Sequence, residues 1–308
     1  DFDVYIAKNR QTYRYLANNA NFESYIKIVK VDAETGKTIP YAGAGFQLYR
    51  PDGSLITQSF TYPTPVTIDT FYTNDEGYLI TPEKIEYGSG YSLVEIFAPY
   101  GYTLNSDPMY FDVVQDASTD EGGVAVIEVV KPNMAQKGVI RISKSGEVFS
   151  SVIEADGLYQ PVFSVRGLPG AVYEITAAED IITPDGTLRY AKGAVVDTVT
   201  TNENGSAASK PLYLGKYTVR ETKAPYGMVL NDEAKSVELT YAGETVKLTE
   251  TSAEFYNERQ KAEVSLSKIL GKDETFGIGN NGEILSVQFG LYAAEDLTAA
   301  DGSSVPTD

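Results

Sequence analysis

Three lysines in this sequence each stand 11 residues after an asparagine; the pairs are Asn19 and Lys30, Asn133 and Lys144, and Asn257 and Lys268. Apolar residues alternate before each lysine, and Ile26 and Ile28, for example, share the parity of Lys30. Because successive side chains of a strand point to opposite faces, the apolar face also carries the lysine. A single such lysine would more simply end its strand and extend its ammonium group into water. Three copies at one spacing instead predict lysines that point at a core.

Two glutamates occupy the same kind of position in later segments. One parity is shared by Tyr91, Leu93 and Glu95, and one by Tyr217, Val219 and Glu221. In both segments Ala-Pro-Tyr-Gly follows shortly after the glutamate. Burying an ammonium or carboxylate group without a partner is energetically expensive. The pattern therefore predicts either a hydrogen-bonded cluster or a reaction among lysine, glutamate and asparagine.

The reaction that these three side chains can carry out is amide formation. Burial disfavours the charged forms, which gives a neutral amine beside a neutral carboxylic acid. The amine can attack the asparagine side-chain carbonyl while the glutamate polarises that carbonyl and shuttles the proton, so that ammonia leaves. Folding holds the reactants together, so we expect one reaction per domain, with no cofactor and no metal.

Composition excludes most familiar catalytic chemistry. The chain has no Cys and no His, which rules out disulfides, thiol nucleophiles, Cys/His zinc sites and histidine-dependent triads. The net charge of −18 would repel phosphate backbones and anionic bilayers, so we expect no nucleic-acid partner and no membrane contact by this segment. We also expect no signal peptide or membrane span, because no sufficiently long apolar run is present; export and anchoring signals would lie outside the chain.

The fold class predicted from composition is all-β. The 23 Tyr, 12 Phe, 27 Gly and 14 Pro suit short strands joined by tight turns. The repeats divide the chain into four parts: 1–19, the terminal strands of a preceding domain; 20–135, one domain; 136–258, a second domain; and 259–308, the start of a third. The second repeat is longer after its lysine, which predicts an inserted loop near 147–166. A second strand of the third repeat is predicted at Val287–Tyr292.

These motifs resemble the SpaA-type or Cna B-type domain, the prealbumin-like module of Gram-positive pilins and adhesin stalks. The matching segments are Lys30-Val-Asp32 with Thr35-Gly36, Gly-Ala-x-Phe ending at Phe46, Gly-x-Tyr at Gly215, and Glu95-x-x-Ala-Pro-x-Gly-Tyr102. The first repeat departs from the family pattern because Gly90-Tyr91 lacks the spacer. The second departs because Lys144 is followed by Ser-Gly. The resemblance implies tandem immunoglobulin-like β-sandwich domains.

The resemblance also implies the site residues. By position, the isopeptide triads are Lys30, Glu95 and Asn133, and Lys144, Glu221 and Asn257, with the two glutamates in the catalytic role. Asn19 would pair with a lysine preceding residue 1, and Lys268 with an asparagine after residue 308. Pro132, directly before Asn133, is unusual inside a strand because proline donates no ladder hydrogen bond.

The function that follows is a structural stalk or pilin subunit of a Gram-positive cell-surface protein. Its partners would be other domains or subunits of the same protein, with host surface ligands as a further class. The alternative is an adhesin module that binds host matrix or glycan through tyrosine-rich loops. A turnover enzyme is disfavoured, because Asp116, Asp120 and Glu121 resemble a solvated loop more than a pair of catalytic acids. Lys8 faintly resembles a sortase-linked pilin lysine, but an ordinary strand-end lysine is the simpler interpretation.

Overall fold

The computed structural model describes residues 22–115, 118–119, 124–269, 271, 273–277 and 287–307. Regular secondary structure in these ranges consists of strands, which confirms the all-β prediction. None of the described residues forms a helix with the length and apolar character needed to cross a bilayer. The residues Lys8, Asn19, Asp116, Asp120 and Glu121 lie outside the described ranges.

The chain forms two compact units. The first comprises residues up to Ala135 together with 184–187 and 243–245, and the second comprises the rest of the chain from Gln136 onwards. The strands of the first unit are β1 (Glu23–Asp32), β2 (Gly45–Tyr49), β3 (Gln58–Phe60), β4 (Val66–Ile68), β5 (Phe71–Tyr72), β6 (Tyr78–Ile80), β7 (Ile85–Glu86), β8 (Gly88–Phe97), β9 (Met109–Val113), β10 (Ser118–Thr119) and β11 (Ala125–Asn133).

The second unit repeats this plan, with a lysine strand of 19 residues where that of the first unit has 10. Its strands are β12 (Lys137–Ala155), β13 (Leu158–Gly167), β14 (Val172–Ala177), β15 (Ile181–Ile182), β16 (Leu188–Tyr190), β17 (Val195–Thr200), β18 (Ser206–Ala208), β19 (Leu212–Tyr213), β20 (Gly215–Lys223), β21 (Lys235–Leu239), β22 (Leu248–Asn257), β23 (Leu297–Thr298) and β24 (Ser304–Val305).

Two main sheets enclose the core of each unit. In the first unit one sheet has the order β10-β11-β1-β6 with β7 also paired to β1, and the other has the order β5-β2-β8-β9. In the second unit β12 pairs with β13, β18, β19 and β22, opposite a sheet of order β17-β14-β20-β21. Apolar side chains of both sheets meet in one cluster per unit, for example Ile28 with Leu93, and Ile142 with Val219.

In each unit the strand that carries the lysine and the strand that carries the asparagine lie side by side and run parallel. β1 pairs with β11 so that Lys30 faces Lys131 and Asp32 faces Asn133. Among the described residues β10 pairs with β11 at Ala125 and Val126, several positions away from Pro132, which lacks a backbone N–H. β12 pairs with β22 in the equivalent register, in which Lys144 faces Phe255 and Gly146 faces Asn257. The parallel register therefore brings residues more than 100 positions apart into one small area.

Two tight turns contain glycines at equivalent positions of the two units, Gly77 and Gly205. Gly77 and Gly205 adopt φ values of +81° and +74°, in the left-handed region that favours glycine. A Cβ atom at Gly77 would lie 1.9 Å from the carbonyl oxygen of Ile39, and one at Gly205 would lie 2.2 Å from that of Lys144. These two turns therefore need glycine both for conformation and for space.

The insertion predicted as a loop at 147–166 is instead a β-hairpin. β12 continues to Ala155, and β13 returns from Leu158 after a two-residue turn. The turn residues Asp156 and Gly157 both have positive φ, 54° and 72°. Asp-Gly between alternating strands is a strong sequence signal for such a hairpin, and the loop prediction overlooked it.

The strands predicted for the third repeat are absent from the described residues. Val264, Leu266 and Lys268 are exposed and lie outside regular structure, and no strand forms at residues 287–292. Isolated strands are unstable in water without neighbours that cover their apolar face. Within the described chain these segments have no such neighbours, because only the short hairpin of β23 and β24 forms there.

Candidate functional site

The first unit brings Lys30, Glu95 and Asn133 together at the centre of its core. Their exposed fractions are 0%, 0% and 1%. Lys30 and Asn133 come from the neighbouring strands β1 and β11, two register positions apart, so their side chains share the inward face. Glu95 reaches them from β8 in the opposite sheet.

Most functional atoms in this cluster have a hydrogen-bond partner, whereas the buried Glu95 Oε1 accepts no hydrogen bond and contacts Lys30 only as an ion pair. The Lys30 Nζ donates to Asn133 Oδ1 and lies 2.8 Å from Glu95 Oε1. Asn133 Nδ2 donates to Glu95 Oε2 at 2.7 Å and to the carbonyl oxygen of Thr103 at 2.8 Å. The backbone N–H of Asn105 donates to the same Glu95 Oε2 at 2.9 Å. The carboxylate therefore bridges the amine nitrogen and the amide nitrogen.

The second unit repeats the arrangement with Lys144, Glu221 and Asn257, which are each 1% exposed. Lys144 Nζ donates to Asn257 Oδ1 and lies 3.1 Å from Glu221 Oε1. Asn257 Nδ2 donates to Glu221 Oε1 and Oε2 at 3.0 and 2.9 Å. The backbone N–H of Asn231 donates to Glu221 Oε2 at 3.0 Å, and the Tyr173 hydroxyl lies 3.4 Å from Oε1.

A β-bulge lies beside both glutamates. In the first unit Glu95 faces Phe46 across the β2–β8 pair, and the register shifts directly afterwards. In the second unit Glu221 faces Tyr173, and the register of β14 and β20 shifts at the same point. A bulge bends a strand and changes the direction of nearby side chains. Both bulges thus occur at the position where a glutamate must reach across the core.

Burial changes the acid–base properties of the two amines. Desolvation in the core lowers the pKa of Lys30 to about 8, against the attraction of Glu95, and the positive charge of Lys131 lowers it slightly further. Desolvation likewise lowers the pKa of Lys144, partly opposed by its hydrogen bond to Glu221. Both lysines therefore lose their proton more readily than a solvated lysine does.

The contact made by the glutamates differs from the one expected. The glutamate was expected to polarise the asparagine carbonyl, but in both units it accepts from the amide nitrogen, and the lysine contacts the carbonyl oxygen. In the first unit the carbonyl of Thr103 explains this orientation, because it can accept only from Nδ2. The carboxylate thus lies between the incoming and the departing nitrogen atoms.

Sequence reasoning missed Lys131, a second buried lysine in the first unit. It is 1% exposed and faces Lys30 across the β1–β11 pair, and its Nζ donates to the carbonyl of Asp107 at 2.6 Å. Phe255 occupies the equivalent register position beside Lys144. The parity of β11 could have revealed Lys131, because it shares the inward face with Val129 and Asn133.

Of the remaining predicted site residues, Asn19 lies outside the described ranges, and Lys268 is exposed and lies outside regular structure. In the described part of the chain no three or more Asp and Glu residues group closely enough to hold a metal ion.

Comparison with known families gives a match to the SpaA prealbumin-like fold domain over residues 24–128 and 164–254. Together these segments make up more than half of the chain. The chain belongs to the SpaA family. One SpaA domain match contains the first lysine and its glutamate, and the other contains the second glutamate and most of β22.

Matches to individual proteins either cover a short segment or have low sequence identity. The chain is 41% identical over 58 residues to the trypsin-resistant surface T6 protein of Streptococcus pyogenes, a match covering 19% of this chain and 11% of that protein. Among solved structures, it is similar to the Bacillus anthracis TIE protein, with 24% identity, a TM-score of 0.42, and coverage of 76% of this chain and 34% of that one. It is also similar to GBS52, the minor pilin of Streptococcus agalactiae, with 13% identity, a TM-score of 0.30, and coverage of 80% and 100%.

Proposed function

We propose that this chain is a load-bearing segment of a Gram-positive cell-surface stalk or pilin, and that each unit is locked by a Lys–Asn isopeptide bond. The observation that carries the proposal is the buried contact of lysine, glutamate and asparagine, present with the same partners in both units. The bonds would join Lys30 to Asn133 and Lys144 to Asn257. Pilin and surface-protein relatives support a location on the cell exterior.

The chemical step needs only the three side chains. The neutral Lys Nζ attacks Asn Cγ, and the glutamate takes a proton from that nitrogen on the oxygen facing it. The carboxyl group then delivers a proton to Nδ2, the Cγ–Nδ2 bond breaks, and one ammonia leaves. The product is a secondary amide, and the carboxyl group returns to its starting state, so the reaction occurs once and is not turnover catalysis.

The position of the bonds explains why they would serve a stalk. Each one joins the strand that carries the lysine to the parallel strand that carries the asparagine, so tension that enters through one strand leaves through the other across a covalent link. The hydrogen-bonded sheets between them carry none of that load. No redox change opens such a bond, which suits a chain without cysteine.

The test is the intact mass of the full chain. Each bond removes one ammonia, about 17 Da by elementary chemistry, so the wild type should show two such losses. Glu221→Gln keeps the shape of the side chain but cannot relay the proton, and it should abolish only the loss at Lys144. Unreacted amines at both sites in the folded wild type would refute the cross-linking function.

A second candidate, a host-matrix or glycan-binding module, is favoured by exposed tyrosines. Tyr62 and Tyr226 are 89% and 104% exposed, and such rings can stack on sugars or pack against protein ligands. Binding of the full chain to matrix proteins and glycan arrays, compared with a Tyr62→Ser and Tyr226→Ser double variant, distinguishes this function. If both proteins bound equally, or if neither bound, the structural function would remain as the single candidate.

A further inference from the structure

An asparagine ten residues after each glutamate makes the same three contacts in both units. In the first unit the Asn105 backbone N–H donates to Glu95 Oε2 at 2.9 Å, its Nδ2 donates to the carbonyl of Pro132 at 3.3 Å, and its Oδ1 accepts from the N–H of Asp107 at 3.2 Å. One residue thus connects the loop after β8, the glutamate and the last strand.

Asn231 repeats these contacts in the second unit. Its N–H donates to Glu221 Oε2 at 3.0 Å, its Nδ2 to the carbonyl of Tyr256 at 3.3 Å, and its Oδ1 accepts from the N–H of Glu233 at 3.2 Å. Pro132 and Tyr256 are the residues directly before Asn133 and Asn257. In both units the asparagine therefore fixes the glutamate relative to the backbone of the asparagine that would react.

The surrounding sequence differs enough between the units to make this repetition informative. The residue before Asn133 is a proline and the residue before Asn257 is a tyrosine, and both are contacted only through the backbone carbonyl. The side chains beside the reacting lysines differ as well, since Lys131 in one unit corresponds to Phe255 in the other. The hydrogen bonds of Asn105 and Asn231 are the same in both units although the neighbouring residues differ.

We propose, on the basis of the cross-linking function above, that Asn105 and Asn231 are positioning residues that hold the glutamate carboxylate against the asparagine amide. They touch neither reacting nitrogen and act through Glu95 and Glu221. A proton relay between two nitrogen atoms depends on the carboxylate staying within hydrogen-bond reach of both. A displacement of about 1 Å in such a site can slow a reaction by roughly 100-fold.

The experiment measures the reaction rate of the full chain, synthesised in a cell-free system and quenched early in acidic urea. Dilution into buffer then starts folding, and ammonia loss at each site is followed by peptide mass. Asn231→Ala should slow bond formation at Lys144 by roughly 10- to 100-fold and leave the Lys30 bond of the same molecule at the wild-type rate. Asn105→Ala should have the reverse pattern.

Two further variants separate positioning from folding. Asn231→Ser can still accept the turn hydrogen bond but is too short to reach Tyr256, so it should be as slow as alanine. Asp180→Ala removes an exposed hydrogen bond to the N–H of Lys192 in the turn after β16, and it should react at the wild-type rate.

The pH profile gives the deciding readout. If Asn231 positions the glutamate, its loss lowers the rate by the same factor at every pH. If it only supports the fold, water reaches Lys144 and the profile shifts towards the higher pH of an ordinary lysine. A shifted profile, or an unchanged rate in Asn231→Ala, would overturn the positioning role. A wild type that never loses ammonia would instead overturn the cross-linking function itself.

Discussion

At the scale of single residues, the low pKa of Lys30 would govern the rate of the proposed bond formation. An amine attacks only when deprotonated, and a pKa of about 8 makes roughly a fifth of Lys30 neutral near physiological pH, far more than of a solvated lysine. After dilution from acidic urea, bond formation at Lys30 should therefore accelerate as pH rises towards 8 and level off above it. Peptide mass at timed intervals across pH 6 to 10 checks this, and a profile still rising steeply at pH 10 would contradict it.

Lys131 provides a second prediction at this scale. Its positive charge opposes protonation of Lys30, although burial is the larger cause of the lowered pKa. Lys131→Met keeps the apolar length of the side chain and removes that charge. The pKa of Lys30 should rise and the pH profile of the first bond should move to higher pH, while the second bond stays unchanged. A profile that did not move would show that Lys131 has no electrostatic effect on the site.

The residue types of the site could be predicted from sequence, because alternation with Ile26 and Ile28 predicts that Lys30 is buried. The partner atoms could not. Alternation specifies the face of a strand, but the orientation of the asparagine amide depends on the carbonyl of Thr103, which belongs to a loop with no periodic signal. The contribution of Asn105 depends on that same loop.

At the scale of elements, the turn before β18 is more constrained than its composition suggests. Gly205 and Gly157 have nearly equal φ values, but only a Cβ atom at Gly205 would collide with the backbone. Gly157→Ala should lower the free energy of unfolding by about 1 kcal/mol, from backbone strain alone. Gly205→Ala should cost at least ~2 kcal/mol, because the carbonyl of Lys144 must also move.

These two variants are best compared by urea denaturation in the Glu221→Gln background, where no bond in the second unit obscures unfolding. Equal losses of stability would show that the close approach at Gly205 relaxes without cost. The turns at Gly77 and Gly205 can be predicted from sequence because glycine adopts such conformations more readily than other residues. The β12–β13 hairpin was not predicted, because the additional length of the second repeat indicates an insertion but not its secondary structure.

At the scale of the whole molecule, the two bonds would limit how far the chain can extend. The lysine and asparagine of the second unit are 113 residues apart. Opening that loop would release roughly 400 Å at about 3.6 Å per residue. Single-molecule pulling on the full chain should show no such extension for the wild type, and one extension of that size for Glu221→Gln.

The same comparison predicts a difference in thermodynamic stability. Closing a loop of this size restricts the unfolded chain and stabilises the unit by about 4 to 5 kcal/mol, by analogy with a disulfide.

In the pulling experiment, a wild type that extended fully at ordinary unfolding forces would contradict the load-bearing function and favour the binding module.

The parallel pairing of first and last strands has a mechanical consequence even before any bond forms. The chain enters β1 at one end of the ladder and leaves β11 at the opposite end, so pulling the two termini slides the strands along each other. The hydrogen bonds of the β1–β11 ladder, from the Tyr25–Val126 pair to the Asp32–Asn133 pair, are then loaded in shear, all at once, whereas an antiparallel hairpin pulled at its open end unzips one bond at a time. A newly folded unit would thus resist force during the interval in which its slower covalent bond is still being made.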